Sequence, residues 1–118
     1  MTAGQKLRAD LDAALRHASQ ELGRDLEFDE AECHVTDQAV ASADRAEEMS
    51  ALYRAELVRK PEPRPTALVK LSAEIRLCEK QAVDFTARVK VSLGQGIKSP
   101  RHQRAAQARW QQHSRQGR

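Results

Sequence analysis

Glu32, Cys33, His34 and Asp37 are the densest gathering of metal-ligating residue types in this sequence. Thiolate, imidazole and carboxylate are the ligands zinc prefers. Cys33 and His34 are adjacent, however, and adjacent side chains on a helix point apart, so the group reads as an ordinary helix start. The carboxylates that could do acid or base work, Glu47, Glu48, Glu56, Glu74 and Glu79, alternate with Arg45, Arg54, Arg76 and Lys80 as on a solvated helical face. No GxxxxGK[ST], GxGxxG, HExxH, GxSxG or CxxC occurs, and LGQGI lacks the strand and helix context of a nucleotide loop. These residues predict a protein that is not an enzyme and that needs neither metal nor cofactor.

A different chemistry is concentrated in residues 98–118, KSPRHQRAAQARWQQHSRQGR. Six Lys or Arg residues stand there without one Asp or Glu, while the whole chain has 20 basic and 17 acidic residues, leaving 14 against 17 elsewhere. The pI of about 9.1 thus hides a mildly acidic body carrying a cationic arm, and such an arm seeks a polyanion. Its one large apolar residue, Trp110, is poor equipment for entering a membrane but suits phosphate contacts plus a single aromatic that stacks or docks. Ser99 and Pro100 have the form of an N-cap and first helical residue, so the arm is either a short basic helix or a segment ordered by its ligand. A solvated tail that only aids solubility is the plain alternative. Phosphate contacts carry little sequence information, so DNA binding by this arm would not imply selection of a site.

The elements that must carry this arm are helical. At 118 residues, with 40% hydrophobic but only 3% aromatic residues, one domain built by thin packing of Ala- and Leu-bearing helices is expected, and such helices often need a partner chain. MTAGQKLRAD has no apolar signal-peptide core and no long apolar run occurs, which predicts a cytosolic protein without membrane spans. Cys33 and Cys78 have neither zinc nor disulfide spacing and are expected to be reduced packing residues on helical apolar faces.

Leu7, Leu11, Leu15, Ala18 and Leu22 recur at helical spacing and predict a first amphipathic helix over 5–22, ended by Gly23. Asp29 followed by Glu32 forms a capping-box signature before the stripe Val35, Ala39, Ser42, Ala46, Met49, Tyr53 and Leu57, predicting a second helix over about 30–59. The small residues in its first half allow a neighbouring backbone close. Pro61, Pro63 and Pro65 then stop it, and the short joint predicts an antiparallel hairpin, with Pro65 able to open the next helix. Leu68, Leu71, Ile75, Cys78, Ala82, Phe85 and Val89 follow at alternating spacings of three and four. This heptad seam predicts a third helix over roughly 66–92, ended by Gly94 and Gly96. The seam either packs on the second helix within one chain or is used in part between chains. The expected fold is therefore all-α: an N-terminal helix and loop (1–28), a helical hairpin serving oligomerisation (29–93) and a basic tail (94–118).

Residues 26–110 in this order resemble the small terminase subunits of tailed bacteriophages, particularly those of actinobacterial hosts. The resemblance rests on Asp37, Ala39, Ala43, Asp44, Ala46 and Leu52 in the second helix, on a proline before Leu68, Leu71, Glu74, Ile75 and Arg76, and on the closing R-x-x-R-A-A-x-A-R-W of 101–110. It implies a non-enzymatic, ring-forming packaging factor that recognises viral double-stranded DNA in the host cytoplasm and delivers it to a large ATPase and nuclease subunit. On that resemblance Leu68, Leu71, Ile75, Cys78, Phe85 and Val89 belong to the oligomerising region, and Lys98, Arg101, Arg104, Arg109 and Arg115 are candidates for DNA contact, unless the tail docks on the large subunit instead. Many family members place a complete helix-turn-helix before the hairpin. Here only one helix and a loop precede it, although Lys6, Arg8, Arg16 and Arg24 leave that end able to touch phosphate. A hairpin adaptor whose tail binds an acidic protein, and a small DNA-binding regulator, are the rival expectations.

Overall fold

The computed structural model describes residues 1–96, which form three helices: α1 (Ala3–Leu22), α2 (Glu30–Leu57) and α3 (Pro65–Gly96). α2 and α3 pack closely as the expected hairpin, and α1 lies against its base, where the chain enters α2 and α3 ends.

α1 starts two residues earlier than the leucine spacing indicates, because Thr2 and Gln5 form a capping box: the Gln5 N–H donates to Thr2 Oγ1 (3.1 Å) and the Thr2 N–H to Gln5 Oε1 (2.9 Å). Its end is the expected glycine. Gly23 sits in the left-handed region (φ 70°, ψ 24°), a conformation that costs residues with a Cβ. Its N–H reaches the Gln20 carbonyl while that of Arg24 reaches Ser19, pairing the last carbonyls of α1. Ser19 Oγ accepts from the Leu26 N–H (2.9 Å), which lays the connecting loop on α1 and buries Leu26 and Phe28.

The Asp29–Glu32 capping box of α2 is present, with Glu32 N–H to Asp29 Oδ1 at 2.7 Å and Asp29 N–H to Glu32 Oε1 at 2.9 Å. Ala39, Ser42 and Ala46 of the anticipated stripe are buried, Val35, Met49 and Tyr53 are half-buried, and Leu57 is exposed. α2 ends at Leu57, two residues before the expected boundary. Pro65 is the first residue of α3, as its fixed φ favours. The helix continues through Gly94 to Gly96 rather than ending near 92, because Val89 and Leu93 are anchored in the core with Leu11 and Phe28. That burial outweighs the local preference of glycine for a helix end.

The core is concentrated at the base. Leu11, Phe28, Val89 and Leu93 form it, with Leu7, Ala14, Leu15 and Val35 packed against it. Toward the tip only α2 and α3 face each other, and Met49, Tyr53, Leu68, Leu71 and Ile75 stay half-exposed. The hairpin is thus a three-helix packing at one end and a two-helix packing at the other.

Candidate functional site

α1 is fixed to α2 by carboxylates. The Gly4 N–H donates to Asp44 Oδ1 (2.8 Å) and the Ala3 N–H donates to Glu47 Oε2. Asp44 and Glu47 lie one turn apart on α2 and meet the positive N-terminal end of α1, where free N–H groups and the helix dipole favour anions. Gly4 is buried, and a Cβ there would lie 2.5 Å from Asp44 Oδ2. The position therefore needs glycine for close approach. Arg8 adds an ion pair to Asp37 (2.7 Å). Of the four N-terminal cations expected to be able to reach phosphate, Lys6, Arg16 and Arg24 are exposed and Arg8 is held by Asp37.

The tip has its own fastening. Glu56, whose side chain is only 8% exposed, accepts from the Arg64 backbone N–H (2.8 Å), from Arg64 Nε (2.9 Å) and from an Arg64 terminal nitrogen (2.9 Å). The guanidinium thus grips both carboxylate oxygens in a fork. These bonds hold the Glu56 carboxyl down at about 2, chiefly through the Arg64 side chain, and the same pairing raises the Arg64 pKa. In the sequence Glu56 resembles any other carboxylate of a solvated face. The signal that marks it is its place one turn before a proline-rich joint that contains an arginine.

Glu32, Cys33, His34 and Asp37 do not converge. Glu32 closes the α2 cap, Asp37 pairs with Arg8 and His34 lies beside Gln38 (3.2 Å). Among the described residues no group of three or more His, Cys, Asp or Glu side chains is placed to hold a metal ion. Cys33 is exposed, contrary to its expected place on a packing face, because the buried side of α2 runs through Glu32, Thr36 and Ala39; Cys78 is buried as expected.

Of the residues assigned to oligomerisation, Cys78 and Val89 are buried within the single chain, while Leu68, Leu71, Ile75 and Phe85 are half-buried. The guanidinium of Arg88 lies 5.6 Å from the Phe85 ring centroid, covering part of that aromatic face. The seam is therefore the inner face of the hairpin. A second apolar surface, absent from the heptad pattern, lies on the outside of α3: Val69, Leu77, Val83 and Val91 are 49–69% exposed. Lys98, Arg101, Arg104, Arg109 and Arg115 lie outside the described residues, as does the Ser99–Pro100 helix start. Gly96, the last described residue of α3, lies at the base of the hairpin, the end at which α1 packs.

Among the described residues no helix is long and apolar enough to cross a membrane. No family model, curated protein or solved structure matches this chain.

Proposed function

We propose that this chain is a non-catalytic DNA-handling subunit of the small-terminase kind, in which the hairpin assembles chains and the basic arm of each contacts double-stranded viral DNA. The observation that carries it is the separation of charge along the sequence: a body with 14 basic against 17 acidic residues, followed at once by six cations without an acid. An assembly multiplies such arms on one duplex, so weak phosphate contacts add up to firm binding without base-specific pockets. In the ring form that the resemblance implies, the base of each hairpin delivers its arm to the same DNA, and a large ATPase and nuclease subunit receives it.

The test is duplex DNA affinity of the full chain and of a chain truncated after Gly96, measured across salt concentrations. The full chain is expected to bind with a log–log salt slope of up to about −5 per engaged arm, from ~0.9 counterions released per phosphate contact. The truncated chain is expected to lose binding and keep its solution mass. Equal binding by both would remove the arm from this role, and binding of the arm to acidic proteins but not to DNA would favour an adaptor.

A further inference from the structure

The exposed apolar residues of α3 are arranged symmetrically along the helix. Val69, Ala73, Leu77, Val83, Ala87 and Val91 are all exposed and stand at equal distances on either side of Lys80: Leu77 and Val83 three residues away, Ala73 and Ala87 seven, Val69 and Val91 eleven. At ~100° per residue all six fall within about 60° of the direction of Lys80, so they form one stripe along the outer face of α3. A stripe with this arrangement reads the same in both directions. It is therefore complementary to itself when a second copy lies antiparallel across it, which is the requirement of an isologous two-fold contact.

We infer that α3 pairs with α3 of a second copy of this chain through this outer stripe, antiparallel, with the two-fold axis at Lys80. Val69 then meets Val91 of the second copy, Leu77 meets its Val83, and Ala73 meets its Ala87, the small pair letting the backbones approach. The contact runs for about 33 Å at ~1.5 Å per residue, about three heptads. Charge selects the direction. Antiparallel pairing places Arg76 opposite Asp84 of the second copy, twice by symmetry, whereas parallel pairing would set Arg76, Lys80 and Asp84 each against its own kind. Lys80 faces itself across the axis and Lys70 comes near Lys90 of the second copy. Their long stems can cover the valines while the ammonium groups turn outward, and salt relieves the remaining repulsion. Leu7 of α1 borders the stripe beside Val83 and Ala87, so the pairing covers it as well.

This inference deepens the assembly part of the proposed function and rests on it only for the need to assemble. It changes the contact from the inner seam to the outer face. An isologous contact closes on itself, so a ring would be built from such pairs through a second, different surface.

Cysteine crosslinking of the full chain tests it, with the exposed Cys33 replaced in a Cys33→Ser background. Lys80→Cys lies on the axis and is expected to convert most of the chain to a disulfide-linked dimer under mild oxidation. Ala73→Cys and Ala87→Cys alone should not link, because each residue lies about 21 Å from its own copy at ~1.5 Å per residue, while a mixture of the two should link. All three positions are exposed, so the fold should survive, as a circular dichroism melt would show. Val83→Asp, also on the surface, should reduce the solution mass without lowering helicity. Self-linking at all three positions would mean parallel pairing, and failure at all of them in a multi-subunit protein would place the contact elsewhere; both overturn the inference and leave the proposed function standing. A monomer at every concentration would remove the inferred contact and the proposed assembly together.

Discussion

Glu56 shows what one carboxylate does at the turn of a two-helix hairpin. Its three bonds from Arg64 join the last turn of α2 to the residue before α3, and the Glu56 carboxyl is held at about 2 against an ordinary 4.5. A carboxyl with a depressed folded-state value contributes stability that is fully present above its unfolded value and is lost as pH falls toward the folded one. Glu56→Gln should therefore melt at a lower temperature than the parent at pH 7, and the gap should close between about pH 4.5 and pH 2. A gap that persisted at pH 2 would show that shape, not charge, matters there. Thr36 gives the opposite expectation. It is 2% exposed and its hydroxyl has no hydrogen-bond partner among the described residues. Thr36→Val removes a buried, unsatisfied polar group at nearly constant volume and should stabilise the fold by about 1 kcal/mol in urea denaturation. Glu56 is marked in the sequence only by its place before the arginine-bearing proline joint, and Thr36 by nothing, because its burial depends on which face of α2 turns inward.

At the level of elements, glycine positions separate local preference from packing. Gly4 lets the N-terminus of α1 reach Asp44, and Gly4→Ala would push its Cβ to 2.5 Å from that carboxylate. The side chain can swing away only by giving up the Gly4 N–H, so this change should cost about 1–2 kcal/mol. Gly94 lies within α3 and a Cβ there meets nothing within 4 Å; Gly94→Ala should instead stabilise by about 0.5–1 kcal/mol. Thermal melts of the two variants should move in opposite directions. The contrast also explains what the sequence displayed and what it did not. The Asp29–Glu32 box, Gly23 and Pro65 act through their nearest neighbours and were legible. The Thr2–Gln5 box lies outside the leucine stripe, and the extension of α3 past residue 92 depends on a core shared by helices far apart in sequence. The heptad seam marked the packing face of α3 but not its outer face, because the outer valines stand among lysines, arginines and acids that make that face look solvated. Aspartates at Leu71 and Ile75, on the inner face, should lower stability by about 2 kcal/mol or more. One at Val83 should affect association alone.

At the scale of the whole molecule, the described residues form a compact base and a thinly covered tip, and the cationic stretch follows them in the sequence. The base keeps α1, α2 and α3 together through Leu11, Phe28, Val89 and Leu93, while the outer face of α3 leaves Val69, Leu77, Val83 and Val91 open to another chain. The arm is legible in composition alone, since charge counts need no fold. The inferred assembly surface is not, since it requires knowing which apolar residues the first chain has already covered. The most direct test of the account is the solution mass of the purified full chain by light scattering at low and high salt. A mass of two or more subunits that persists at high salt is predicted, because apolar contacts survive screening while charge contacts fade. A monomer in both conditions would contradict the account, leaving each arm to act alone.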